Sequence, residues 1–88
     1  ISVALENGSV VSDAGHFVEQ TLERYNFYVQ SIDTGNNTTE TVVYYKSGQK
    51  AYADKAVEVL GSLYTVTTIQ SLPNSYFADL RILIGTRK

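Results

Sequence analysis

The chain contains no cysteine, methionine or tryptophan, and only one histidine and one proline in 88 residues. Without cysteine there is no disulfide framework and no thiolate metal site. Charge is scarce as well: 18% of residues are charged, and seven basic against nine acidic side chains leave a formal net charge of -2. That balance supplies no basic stripe to neutralise phosphates, which argues against nucleic acid as a partner. No apolar run approaches the roughly 20 residues of a membrane-spanning helix, and no signal peptide is recognisable. The chain starts directly on the strand-like ISVALENG with no initiator Met. The expectation is a domain excised from a longer protein, with any anchor or export signal outside it.

What is present suits one folded domain. Apolar residues make up 43% of the chain, enough for a single core with little surplus stability. Ile1, Val3 and Leu5 alternate with Ser2, Ala4 and Glu6, the period of a half-buried strand. Asn7-Gly8 breaks it. Ser12 is the expected N-cap of a helix with Asp13 against its dipole. Ala14, Phe17, Val18, Thr21, Leu22 and Tyr25 then form one apolar stripe, and Asn26 ends the helix in a left-handed conformation. A second strand spans residues 27–32, with Phe27 and Val29 facing one way and Tyr28 and Gln30 the other. Residues 33–39 are polar and read as a loop.

Thr41 to Tyr45 is a third strand, apolar on both faces and therefore interior. Ser47-Gly48 turns into a second helix with Ala53, Ala56, Val57 and Leu60 as its buried stripe and Gly61 as its stop. Tyr64 to Ile69 and Ala78 to Ile84 are strands four and five. The order β-α-β-β-α-β-β predicts a two-layer α/β sandwich with a mixed sheet, ferredoxin-like with one extra strand. The order of strands across the sheet does not follow from the pattern.

Few residues suggest catalysis. Ser47-x-x-Lys50 has the spacing of a serine acyltransferase nucleophile, but the Lys-Thr-Gly strand and the larger two-part fold of such enzymes are missing. The simpler reading is that Ser47 caps the helix and Lys50 is solvated. His16 has Glu19 as its only neighbour of ligand type, too few for a metal. Asp13, Glu19 and Glu23 have the spacing of a solvated helix face. Gly8 and Gly15 match neither nucleotide fingerprint. No cofactor is implied.

Tyrosine is the abundant aromatic, with seven copies. Tyr28, Tyr44 and Tyr45 fall on strands, and one of the Tyr44/Tyr45 pair must point away from the helices together with Tyr28. Aromatics on an open sheet face can stack on sugar rings or on a protein partner; the alternative is that they are good strand formers covering an exposed surface. Asn7, which opens the loop after the first strand, completes the candidate surface.

An ordered set of residues carries a family resemblance. Val3-Ala4-Leu5-Glu6-Asn7-Gly8-Ser9, Val11-Ser12, Ala14, Leu22 and Phe27-Tyr28-Val29 resemble the first half of the LytR C-terminal domain. Thr41-Val42-Val43-Tyr44-Tyr45, Gly48, Ala53, Ala56, Leu60 and Asp79-Leu80-Arg81-Ile82-Leu83-Ile84-Gly85 resemble its second half. Val10 stands where the family often has a second glycine, and Tyr25-Asn26 replaces its usual helix ending. The resemblance implies an accessory domain of envelope proteins in Gram-positive bacteria and actinobacteria, on the outer side of the cytoplasmic membrane. It commonly follows a LytR-CpsA-Psr domain that transfers anionic glycopolymers from lipid carriers to peptidoglycan. No catalytic residues carry over, and the family's label as a transcriptional attenuator does not imply DNA binding. The implied role is non-catalytic: binding cell-wall glycan or peptidoglycan, or positioning the polymer ligase. The alternative is a protein–protein interaction or dimerisation module of the same envelope protein.

Overall fold

Two β-α-β units laid side by side in opposite directions, with one last strand between them, make up the domain. The computed structural model covers Ile1–Lys88. The elements are β1 (Ser2–Asn7), α1 (Ala14–Glu23), β2 (Tyr28–Thr34), β3 (Thr41–Lys46), α2 (Lys50–Leu60), β4 (Val66–Leu72) and β5 (Leu80–Ile84). The sheet order is β2-β1-β5-β3-β4. β1 runs parallel to β2 and to β5, β3 runs parallel to β4, and β3 and β5 are antiparallel. α1 and α2 pack against each other, so both lie on one face of a two-layer sandwich.

The mixed-sheet sandwich agrees with the sequence expectation, but its strand order is not ferredoxin-like. A ferredoxin-like sheet inserts another strand between the two strands of each β-α-β unit. Here both pairs are direct neighbours, and the extra strand, β5, is the middle of the sheet. The physical reason lies in β5 itself. Leu80, Ile82 and Ile84 are all fully buried, and a strand this apolar leaves neither its side chains nor its backbone exposed when flanked on both edges. β3 is interior, as its two apolar faces predict.

The core forms between the sheet and the helices. Val3, Leu5, Val29, Val43, Tyr45 and the three buried β5 residues meet Ala14, Val18 and Leu22 of α1 and Ala53, Ala56 and Leu60 of α2. A bulge in the β1–β2 register pairs Val3 with Val29 but Ala4 with Ser31, which skips Gln30. Val29 and Ile32, three residues apart, therefore both face the helices. Gly15 lets α1 sit down on β2, because a Cβ there would lie 2.6 Å from Ile32 Cγ2.

Local details depart from expectation at the helix starts. Asp13, not Ser12, is in the N-cap position of α1, and its side chain makes no capping bond. α2 starts after Gln49, which likewise makes none, so Ser47 belongs to the preceding turn and caps nothing. Lys50 is solvated and pairs with Asp54 one turn on, at 2.9 Å. Gly61 ends α2 in a right-handed conformation (φ -65°), whereas Asn26 does take the left-handed one (φ 69°).

The start of the closing strand is fastened to β1. The Asp79 carboxylate accepts from the Ser2 backbone N–H (3.0 Å) and from its hydroxyl (3.1 Å), while Ser2 Oγ accepts from the Asp79 N–H. The bond from the Ser2 backbone, followed by that from its hydroxyl and the charge of Lys46, holds the Asp79 carboxyl below its ordinary value of 3.8 against the opposing effect of burial. A lowered carboxyl pKa stabilises the fold above the unfolded-state value and is lost as pH falls through the folded one. Asp79→Asn is therefore expected to lower the urea midpoint at neutral pH. The gap from the parent should close as pH drops below about 4. A gap independent of pH would contradict this assignment.

Candidate functional site on the open face of the sheet

Strand alternation sends every second side chain to the face without helices. The registers arrange these residues in rows across the sheet. One row reads Ser31, Ala4, Arg81, Tyr44 and Ile69, and the next reads Asp33, Glu6, Leu83, Val42 and Thr67. At the β2 edge Tyr28, opposite Ser2, is 63% exposed.

A polar cluster occupies the middle of this face. Arg81 donates to both carboxylate oxygens of Glu6, Nε at 2.9 Å and Nη2 at 2.6 Å. This is a two-pronged pair in fixed geometry, and it raises the guanidinium's pKa still further. The guanidinium lies 4.7 Å from the centre of the Tyr44 ring, within cation–π range. Partial burial raises the pKa of Tyr76, on the β4–β5 loop, against the lowering effect of the Arg81 charge. The Tyr76 ring packs against Phe77 with centroids 4.7 Å apart, and Phe77 is exposed. The result is a surface of planar aromatic and planar charged groups with no helix over it.

The residues singled out from sequence divide between two layers. Tyr28 and Tyr44 stand on the open face. Tyr45 is 7% exposed and belongs to the core, so it is not available at the surface. The parity of Lys46 with Tyr44 was the signal for this. Asn7 does not join the open face: its side chain braces the β1–α1 loop, donating to Val11 O at 3.0 Å and accepting from the Ser9 N–H at 2.9 Å. Sequence reasoning missed Arg81, Glu6, Tyr76 and Phe77. A charge at Arg81 between Leu80 and Ile82 marked the outward face of β5, but nothing in the sequence tied it to Glu6, 75 residues away. His16 lies exposed on α1, with Nδ1 3.4 Å from Glu19.

Comparison with known proteins agrees with this architecture. The model of a family described as "LytR cell envelope-related transcriptional attenuator" matches residues 1–87. The solution structure of the C-terminal domain of RV0431 superposes with a TM-score of 0.57 at 23% identity, over 96% of this chain and 70% of that one. At that identity the likeness speaks for the fold alone. No curated protein matches the chain. With the family pattern running almost from end to end, and Asp79 before its closing strand tied to Ser2, the chain belongs to the LytR C-terminal domain family, an accessory-domain family of bacterial cell-envelope proteins.

Proposed function

We propose that this domain is a non-catalytic, extracytoplasmic module that binds cell-wall glycan on its open sheet face and so helps to hold a neighbouring glycopolymer ligase at the wall. The observation that carries the reading is the pair Tyr28 and Tyr44 on a face that no helix covers. An aromatic ring there offers an apolar plane to the C–H face of a sugar while its hydroxyl stays wet. Glu6 and Arg81 beside it give hydrogen-bond partners for ring hydroxyls. The net charge of -2 does not suit a polyanion held mainly by charge, which favours the uncharged glycan backbone of peptidoglycan over the anionic polymer. No helix is long and apolar enough to cross a membrane.

Co-sedimentation of the domain with insoluble sacculi, bearing or lacking their anionic polymer, tests this directly. Retention is expected on both, and the Tyr28→Ala, Tyr44→Ala double variant should weaken it roughly tenfold with the fold intact. Undiminished retention of a folded double variant would rule out the sheet face. A second reading rests on Ile69 and Phe77, 46% and 57% exposed: two copies, or a second envelope protein, pack on the same face. Sedimentation velocity across a concentration series separates the two, since a dimer that buries Tyr28 and Tyr44 should not bind sacculi through them.

A further inference from the structure

The β1–α1 loop, the first turn of α1 and the chain after β5 line an open cleft of about 340 Å³ that shares no residue with the row of Arg81 and Tyr44. Val10, Val11 and Phe17 form its apolar side, and Asp13, Tyr64 and Arg87 supply its polar groups. The walls are built rather than incidental. Asn7 holds the loop through Val11 O and the Ser9 N–H, and Ser9 Oγ accepts from the Val11 N–H at 3.0 Å. Val10 and Val11, which line the cleft, remain 86% and 54% exposed. Thr86 N–H donates to Thr39 O and Lys88 N–H to Leu63 O, which fixes the opposite wall.

Three polar groups line the cleft without a protein partner, the Tyr64 hydroxyl buried, Arg87 and Asp13 exposed. Tyr64 is 1% exposed, yet its hydroxyl is buried without a hydrogen bond. A buried hydroxyl in that state is costly to the fold. Arg87 stacks over the Phe17 ring at 4.7 Å but pairs with no acid, and Asp13 pairs with no base. The charge of Arg87 reaches the Tyr64 hydroxyl, opposing the rise in pKa that burial imposes. A hydroxyl and a guanidinium close together, an acid at the helix start and an apolar side between them describe a receptor for a small dipolar molecule.

We propose that this cleft binds a short apolar peptide in its zwitterionic form. The carboxylate pairs with Arg87 and accepts from the Tyr64 hydroxyl, the ammonium faces Asp13, and the side chains lie against Val10, Val11 and Phe17. The volume is at the small end of ligand pockets and suits a molecule of dipeptide size. Asp13 disfavours a polyanion. The cleft is distinct from the sheet face, so the inference stands or falls apart from the glycan reading.

The test is an NMR titration of the 88-residue domain with alanyl-alanine, its N-acetyl form and its C-terminal amide. Saturable shifts at Ser9, Val11 and Thr86 are expected with the free dipeptide at millimolar concentration. Amidation or Arg87→Ala should each weaken binding at least roughly tenfold, the range for a charge-assisted hydrogen bond. Tyr64→Phe should weaken it about fivefold while leaving the melting temperature unchanged or higher, because an unsatisfied hydroxyl has been removed. A merely structural Tyr64 would leave affinity alone. Absence of saturable shifts, or equal binding of the amide, overturns the proposal; equal binding of the N-acetyl form overturns the role given to Asp13.

Discussion

Gly85→Ala is expected to destabilise the domain by about 3 kcal/mol or more, lowering its urea midpoint by roughly 2 M. A Cβ at this position would lie 2.5 Å from Glu40 O, 2.6 Å from Glu40 C and 2.7 Å from Thr39 O. All three are backbone atoms, so no side-chain rotation relieves the clash. The residues around them are also committed. Gly85 N–H donates to Thr41 Oγ1 at 2.9 Å, and Thr41 is 1% exposed at the start of β3. Thr86 N–H donates to Thr39 O at 3.1 Å. Moving the chain to admit a methyl group breaks these bonds in the middle strand of the sheet. Gly48 is the contrast: nothing lies within 4 Å of its Cβ position, but its φ is +86°. Alanine there should cost only about 1 kcal/mol, for the left-handed backbone alone. Near-equal losses at the two glycines would show that space around Gly85 is not the constraint.

Elements were easier to read from the sequence than neighbours. The stripe on α1, the Asn26 helix ending and the alternation of β1 are local signals, and each corresponds to an observed feature except at Tyr25, which lies past the end of α1 and is exposed. Strand order depends on which apolar segment finds the middle of the sheet, and a list of strands carries no such information. The bulge that skips Gln30 breaks the parity of β2 halfway along, so extrapolating from Phe27 and Val29 assigns Ile32 to the wrong face. The aromatic candidates were legible as a group but not individually, because period-2 alternation separates Tyr44 from Tyr45 without saying which is outside. Lys46 and Arg81, charges on otherwise apolar strands, held that answer. The cleft was not legible at all. Its parts come from residues 9–17, 64 and 86–87, and no periodicity links them. Only Val10, standing where the family often has glycine, marked its loop as unusual.

The adjacent tyrosines of β3 should respond oppositely to truncation. Tyr45 is 7% exposed, packed in the core cluster beneath the helices. Tyr45→Ala removes a buried ring and leaves a cavity, at an expected cost of about 3 kcal/mol. Tyr44 faces the other way, half-buried beside Arg81. Tyr44→Ala gives up a cation–π contact and some apolar area, about 1 kcal/mol, and leaves the Arg81–Glu6 pair in place. Glycan retention should sort them the other way round, falling with Tyr44→Ala and persisting in whatever fraction of Tyr45→Ala remains folded. Urea denaturation and sacculus co-sedimentation on both single variants give four numbers. If Tyr45→Ala proves the milder of the two in urea, the parity assigned to β3 is wrong. If both variants lose stability equally but only Tyr45→Ala loses retention, the binding surface lies on the helical side. The proposed arrangement requires a crossed pattern, in which one tyrosine holds the fold and its neighbour holds the ligand.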